Sequence, residues 1–372
     1  MRARIVSIGD MTGELIAKWN AWAAPGGRLV SPYFRFEFTD AIARVREDVR
    51  IAILEDDDGV AGFFPFHAPR DGVIRPVGAP MSDYQGVIAR PGARIDLPRL
   101  VRAAGGSAVV FDNWYCPAGG LPAARRGREG SAMVDLSGGA GTYFDTRRGA
   151  HRNHFRKMSR RQRAAERDIG PVRVCLDDPD GRAFARLDAW KQAQYRDTGK
   201  LNVFGIGWVR EALADFRTMD GAGLHGLTAS LWFGDRLAAV EFGLAAGGIY
   251  HSWFPAYDPE LARYSPGLLL LHGLFDQAGA HGIDRVDLGR GGDHYKKYYT
   301  SYEVPLDQGR VLVPGMAAAG IRSWELAERA AGLMPGAVAE LPVRLRRRWA
   351  QVSAFQPHFA PRIASFAGSV TR

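Results

Sequence analysis

Cysteine is nearly missing from this chain: Cys116 and Cys175 are the only two in 372 residues, and they lie far apart. No Cys-x-x-Cys pair or Cys/His cluster accompanies them, so no structural zinc site is expected. So low a count suits a reducing compartment. Long apolar runs are lacking as well. Nothing reaches the roughly 20 consecutive apolar residues that a membrane span needs, and Met1–Asp10 has no apolar core of signal-peptide length. A cytoplasmic protein is the expectation. There is no Gly-x-Ser-x-Gly elbow, which disfavours a serine-nucleophile triad. There is no short-period repeat and no named nucleic-acid motif, so no specific nucleic-acid partner is expected.

What is present is ordinary for a folded, soluble chain: 46% hydrophobic and 24% charged residues. The length suffices for two domains, each with its own core. The 45 glycines and 21 prolines imply many turns and short connections. The net charge is +9. It fits either a merely arginine-rich composition or attraction to an anionic partner, and the anionic partners are a phosphorylated cofactor, a nucleic acid or a membrane surface. Peripheral contact with an anionic membrane is thus one partner class.

Periodicity predicts helices over 13–23 and 33–46, the second opened by Ser31-Pro32. A hairpin follows, with strands at Val49–Leu54 and Val60–Phe66 about the turn Glu55–Gly59. Further strands are expected near 72–77, 107–111 and 131–135. The stretch 114–130, with Pro117, Gly119, Gly120, Pro122, Gly127 and Gly130, is the loosest part of the chain. Gly138-Gly139-Ala140-Gly141 marks a domain boundary. Three regions follow: 1–140, 141–315 and a helical, basic tail at 316–372.

The second region opens with one long helix over 142–168. On it Arg152, Arg156, Arg160, Arg163 and Arg167 share a face. That face is either a solvated helix surface or one aimed at phosphates. Helices near 179–197 and 207–219 precede a three-strand meander at Leu224–Phe233, Leu237–Leu244 and Ile249–Phe254, with turns at Gly234-Asp235-Arg236 and Gly247-Gly248. A helix over 266–281 and a strand at Arg285–Gly289 complete the order.

The helix at 266 starts with Ser265-Pro266-Gly267. Ser265 can cap, Pro266 gives up no needed N–H, and Gly267 lets a ligand approach the backbone. A helix start favours an anion, so this is also a pyrophosphate-binding geometry; a well-capped helix is the plainer reading. Nearby residues are candidates for proton transfer and positioning. Glu241 lies on the strand face opposite Val240 and Phe242, and burial would raise its pKa toward use as a base. His251 shares a face with Trp253. Asp287 ends a strand and could orient a histidine. Lys296, in the loop Gly289–Lys297, could meet a phosphate or an acidic group.

Several runs resemble the acyltransferases of the GNAT superfamily, in particular the two-domain cellulose-biosynthesis (CelD-like) group, related to the FemAB-like transferases. They are Ala238–Leu244, Tyr250–Phe254 with Ala256-Tyr257-Asp258-Pro259, Tyr264–Gly267, and Asp287–Asp293 followed by Tyr295-Lys296. The resemblance covers about 225–300 and does not reach the tail. It implies an α/β fold of mixed sheets, with tandem GNAT-like domains and a helical C-terminal appendage. The first domain would be degenerate and the second catalytic. It implies acetyl-CoA as acyl donor and no metal, with transfer of groups other than amino-acyl groups to a sugar or cell-envelope precursor. Glu241, His251 and Asp287 would be catalytic. Trp253, Phe254, Arg263, Ser265, Pro266 and Gly267 would hold the donor. Tyr257, Tyr295 and Lys296 would touch substrate, with Asp83 and Tyr84 from an acceptor-side loop. The donor loop departs from the usual Arg-x-x-Gly-x-Gly/Ala form, since Leu268 and Leu269 follow Gly267. Two alternatives stand beside this reading: an aminoacyl-tRNA-dependent transferase on the same fold, and a non-catalytic binding protein of polysaccharide biosynthesis.

Overall fold

The computed structural model describes residues 1–24, 29, 31–69, 71–117, 124–199, 201–219, 221, 223–333, 341–355 and 363. In chain order the first elements are β1 (Arg2–Val6), α1 (Gly13–Trp22), α2 (Phe36–Val45), β2 (Val49–Asp56), β3 (Gly59–His67), β4 (Val73–Pro76), β5 (Ile88–Ala89), α3 (Leu97–Ala103) and β6 (Ala108–Trp114). Next come β7 (Arg125–Asp135), α4 (Ala140–Ala150), α5 (Arg152–Asp168), β8 (Val172–Cys175), α6 (Arg182–Thr198) and α7 (Gly207–Thr218). The meander is β9 (His225–Phe233), β10 (Arg236–Ala246) and β11 (Ile249–Tyr257). It is followed by α8 (Pro266–Gln277), β12 (Arg285–Arg290), α9 (Lys296–Tyr299), β13 (Tyr302–Leu312), α10 (Met316–Ala331) and α11 (Leu341–Phe355).

These elements form two compact units, interleaved in sequence. The first holds Met1–Trp22, Ile42–Arg128 and Leu306–Arg372; the second holds Ala23–Ala41 and Glu129–Pro305. In the first unit β1, β2, β3 and β4 pair antiparallel in that order, β4 pairs parallel with β6, and β6 pairs antiparallel with β13. In the second, β8, β9, β10 and β11 pair antiparallel, β11 pairs parallel with β12, and β12 pairs antiparallel with β7. Order and sense are the same in both. The fold is therefore a mixed α/β architecture used twice, as the tandem expectation required, with helices near the C-terminus. Each copy closes its sheet with a strand from the other half of the chain: β7 follows β6 but pairs with β12, and β13 follows β12 but pairs with β6. That exchange interleaves the units.

Each sheet is paired with a core. In the first unit Leu54, Phe64 and Phe66 of the sheet pack with Leu97, Leu100 and Val101 of α3. In the second, Ala229, Leu231, Ala239 and Tyr250 pack with Leu270, Leu274 and Phe275 of α8. Burying an aliphatic or aromatic side chain is worth roughly 1.5–3 kcal/mol, so these clusters drive the sheets to one register.

Some elements differ from the sequence reading. Ser31 accepts from the Tyr33 amide at 3.4 Å, but it opens only the one-turn segment Pro32–Phe34. Arg35 is extended, so α2 starts at Phe36. The long helix over 142–168 is two helices, broken at His151 (φ −132°, ψ 44°). Strands β1, β8 and β13 and helix α3 lack the length or alternation that would announce them. Gly119, Gly120 and Pro122, together with 334–340, 356–362 and 364–372 of the tail, lie outside the described residues. Among the described residues no helix is long and apolar enough to cross a membrane.

Candidate active site

The site of the second unit grows from the meander. Strands β10 and β11 turn over Gly247 and Gly248, both at positive φ (58° and 79°), which only glycine adopts without strain. Their register slips after Phe242: Phe242 faces Phe254 and Gly243 faces Ser252, which leaves Trp253 as a bulge. Bulges redirect a strand next to a site. On its other side β11 pairs with β12 over only Ile249, Tyr250 and His251, opposite Arg285, Val286 and Asp287. Past that rung, no pairing joins Ser252–Tyr257 to β12 among the described residues.

His251 and Asp287 form the last rung, with Nδ1 3.4 Å from Oδ2, and both side chains are buried. Two donors fix the carboxylate: the Ser131 hydroxyl at 2.6 Å and the Gly289 amide at 2.8 Å, both on Oδ1. Ser131 comes from β7, so the exchanged strand supplies part of the site. On the other side of the imidazole, the Tyr33 ring meets His251 edge-on at 5.0 Å and Trp253 at 5.6 Å. Nothing in the sequence pattern singles out Tyr33 for this cluster. The run Ser31-Pro32-Tyr33 reads locally as a helix start and gives no hint of this contact.

Glu241 lies on the opposite face of the sheet. It stands across from Ala229 and Pro255, on the side of Gly243, Ser252 and Tyr250, where α8 packs. The Tyr250 ring crosses Gly243 so closely that a Cβ there would sit 2.5 Å from it and 2.2 Å from the His251 carbonyl. Glu241 is fully buried, as a base raised by burial would be: burial pushes its pKa up, and nearby Ser252 and Tyr250 only partly oppose this. The sheet thus separates Glu241 from the His251–Asp287 pair.

Helix α8 begins beside a cluster of cations. Ser265 is left-handed (φ 55°), and its hydroxyl accepts from Arg161 of α5 instead of capping its own helix. The amides of Leu268 and Leu269 both turn to the Ser265 carbonyl. Gly267 is open: an added Cβ would meet only Tyr257 Cδ1, at 4.0 Å. Next to this start lies a depression of about 300 Å³ lined by Lys157, Arg160, Arg161, Arg263, Asp168 and Tyr264. Four cations face one carboxylate, and Asp168 is held low by the Tyr264 hydroxyl, which donates to it at 3.0 Å. Of the arginine face read from the sequence, only Arg160 lines the depression. The stripe Lys157, Arg161, Ala164 and Asp168, one helical turn apart, was the better signal.

The remaining expected site residues divide by surroundings. Phe254 packs edge-on against Phe204 at 5.0 Å. Pro266 is buried at the α8 start. Tyr257 is 47% exposed at the end of β11. Burial pushes the Tyr295 hydroxyl well up. Lys296 is buried and ties its own loop, donating to the carbonyls of Gly289 at 3.0 Å and Arg290 at 2.9 Å. Asp83 and Tyr84 belong to the first unit, between β4 and β5, where Tyr84 is buried against Tyr115. A second polar cluster was unforeseen: the Tyr299 hydroxyl lies 2.9 Å from His154 Nε2 and 2.8 Å from His272 Nε2, which links α5, α8 and α9. Among the described residues, no three His, Cys, Asp or Glu side chains gather as a metal site.

With this geometry in place, the chain can be compared with known proteins. Residues 152–297, all within the second unit, match the family model described as an acetyltransferase (GNAT) domain. No curated protein matches the chain in sequence. Among solved structures, the chain is similar to the C-terminal domain (DUF2156) of a putative lysylphosphatidylglycerol synthetase from Agrobacterium fabrum. That match has a TM-score of 0.50 and 11% identity, and covers 83% of this chain and 94% of that one. It is also similar to FemX, with a TM-score of 0.49 and 8% identity over 87% of this chain and 99% of that one. A tandem GNAT protein of the clavulanic acid biosynthesis pathway aligns at a TM-score of 0.45 and 11% identity, over 85% of this chain and 100% of that one. At such identities the likeness is one of fold. The second unit carries a GNAT-type acyltransferase domain.

Proposed function

We propose that the second unit transfers an acyl group, acetyl from acetyl-CoA in the first instance, to an amine or hydroxyl of a sugar or cell-envelope precursor. The observation that carries this is the opening of β11 from β12 at His251 and Asp287; the start of α8, with four cations and the open Gly267, adds a place for phosphates. These residues fit a phosphorylated thioester donor. Arg161, Arg160, Lys157 and Arg263 would hold its phosphates, and the peptide edge of β11 past His251 would align its arm. The donor supplies an acyl carbon activated by a thiolate leaving group.

The chain's own part is positioning and proton transfer. His251 takes the proton of the acceptor nitrogen or oxygen as that atom bonds to the acyl carbon. Asp287 keeps the imidazole oriented and favours the imidazolium, while Ser131 and Gly289 hold Asp287 still. Tyr33 and Trp253 line the same face and belong to the acceptor side. Glu241, Tyr250 and Tyr295 lie on the donor side. Tyr257 stands between the β11 end and Gly267.

A thermal-shift titration tests the reading. Acetyl-CoA should raise the melting temperature, because it binds only the folded state. Gly267→Asp, which sets a carboxylate where phosphate belongs, should abolish the shift. A full shift in the variant would remove the donor from the α8 start. One observation favours a second donor, an aminoacyl-tRNA: Arg152, Arg156, Arg163 and Arg167 are exposed on α5 and do not line the depression. Steeply salt-dependent tRNA binding, with no response to acetyl-CoA, would select that donor.

A further inference from the structure

Helix α10 has two unlike sides. Its acids point inward: Glu325 pairs with Arg310, and Glu328 pairs with Arg346 of α11 at 2.6 Å, with side chains only 21% and 17% exposed. The Trp324 indole closes the same side by donating to the Pro342 carbonyl at 3.2 Å. The outer side is apolar. Met316 is 93% exposed, Leu326 63%, and Leu333, just past the helix end, 89%. Helical spacing puts Ser323 and Ala330 between them on the same exposed arc. Along one edge of that arc run Arg322 and Arg329, seven residues apart and both exposed. No acid of α10 faces outward. A solvated helix has no use for bare leucines, and an exposed apolar arc of this kind marks an interaction surface. An apolar arc with a purely cationic edge matches an anionic lipid surface, into which the leucines sink while the guanidiniums meet phosphates.

We infer that the outer face of α10, through Met316, Leu326 and Leu333 with Arg322 and Arg329, docks the protein in plane on an anionic membrane surface. Cosedimentation of the full chain with vesicles tests it. Binding is expected to phosphatidylcholine vesicles containing phosphatidylglycerol, weakening as salt rises, with little binding to phosphatidylcholine alone. Leu326→Glu with Leu333→Glu should abolish binding, and Arg322→Glu with Arg329→Glu should weaken it at least about tenfold. All four positions are exposed, so both variants should melt with the parent chain. No binding to the anionic vesicles, or equal binding by parent and variants, overturns the inference. So does concentration-dependent self-association that the leucine variant abolishes in the absence of vesicle binding, which would give the face to a second copy of the chain.

Discussion

His251 and Asp287 face each other across the last paired rung of two parallel strands, 3.4 Å from Nδ1 to Oδ2. Asp287 engages Ser131 and Gly289 through Oδ1, so its other oxygen is the one turned toward the imidazole. A carboxylate pinned in this way orients its histidine and stabilises it when it takes a proton. The pair lies where the strands part, so its position follows from the same topology that opens the gap.

Asp287→Asn keeps the shape and both strands but removes the charge. With His251 as base, kcat should fall about 100-fold or more, while the KM for acetyl-CoA stays close to that of the parent. Steady-state kinetics on an acceptor found by screening measures both. A variant with parental kcat would release His251 and Asp287 from the chemistry. A raised donor KM alone would move them to binding.

The meander was legible because its turns are short and glycine-marked, and the α8 start because proline fixes a first helical position. Strand alternation set Glu241 opposite Phe242 and put His251 on the face of Trp253; both show in the packing, where Phe242 and His251 meet different neighbours from Glu241. The strand exchange was not legible. Ser131 pairs with a strand more than 150 residues away, and no local pattern encodes which of two equivalent sheets β7 joins. The break at His151 was hidden by helix-forming residues on both sides. The basic depression was only half legible, because spacing alone gives several arginine faces and packing of α5 against the segment before α8 selects one.

Glu241 gives a prediction of stability. Burial raises its pKa above the ordinary 4.5, so the native state holds a proton that the unfolded chain has released. The neutral carboxyl costs nothing below pH 4.5. As pH climbs from there through the native pKa, the unfolded state gains from ionising and the fold weakens. Glu241→Gln removes that loss. The variant should melt above the parent at pH 7, by a margin that shrinks toward pH 4.5. A margin independent of pH would mean that Glu241 is ionised in the fold.

His272 works in the opposite direction. Burial drives its pKa from 6.5 down to about 4, and His154 beside the same Tyr299 hydroxyl also falls to about 4. The unfolded chain takes up these protons near pH 6.5 and the native chain only near pH 4, so stability present above pH 6.5 is lost as pH falls through this window. His272→Phe keeps a ring against Phe144 and Phe155 but loses the 2.8 Å bond to Tyr299. At pH 7.5 it should be less stable by about 1 kcal/mol, the usual worth of one hydrogen bond. Toward pH 4.5 the parent pays for keeping His272 neutral and the variant does not, so the gap should close or reverse. Other buried histidines, such as His67, act equally in both chains and cancel in the difference. Urea denaturation of both proteins across that pH range measures it. A gap that stays constant would show that His272 is protonated in the native fold, with its charge met by a partner.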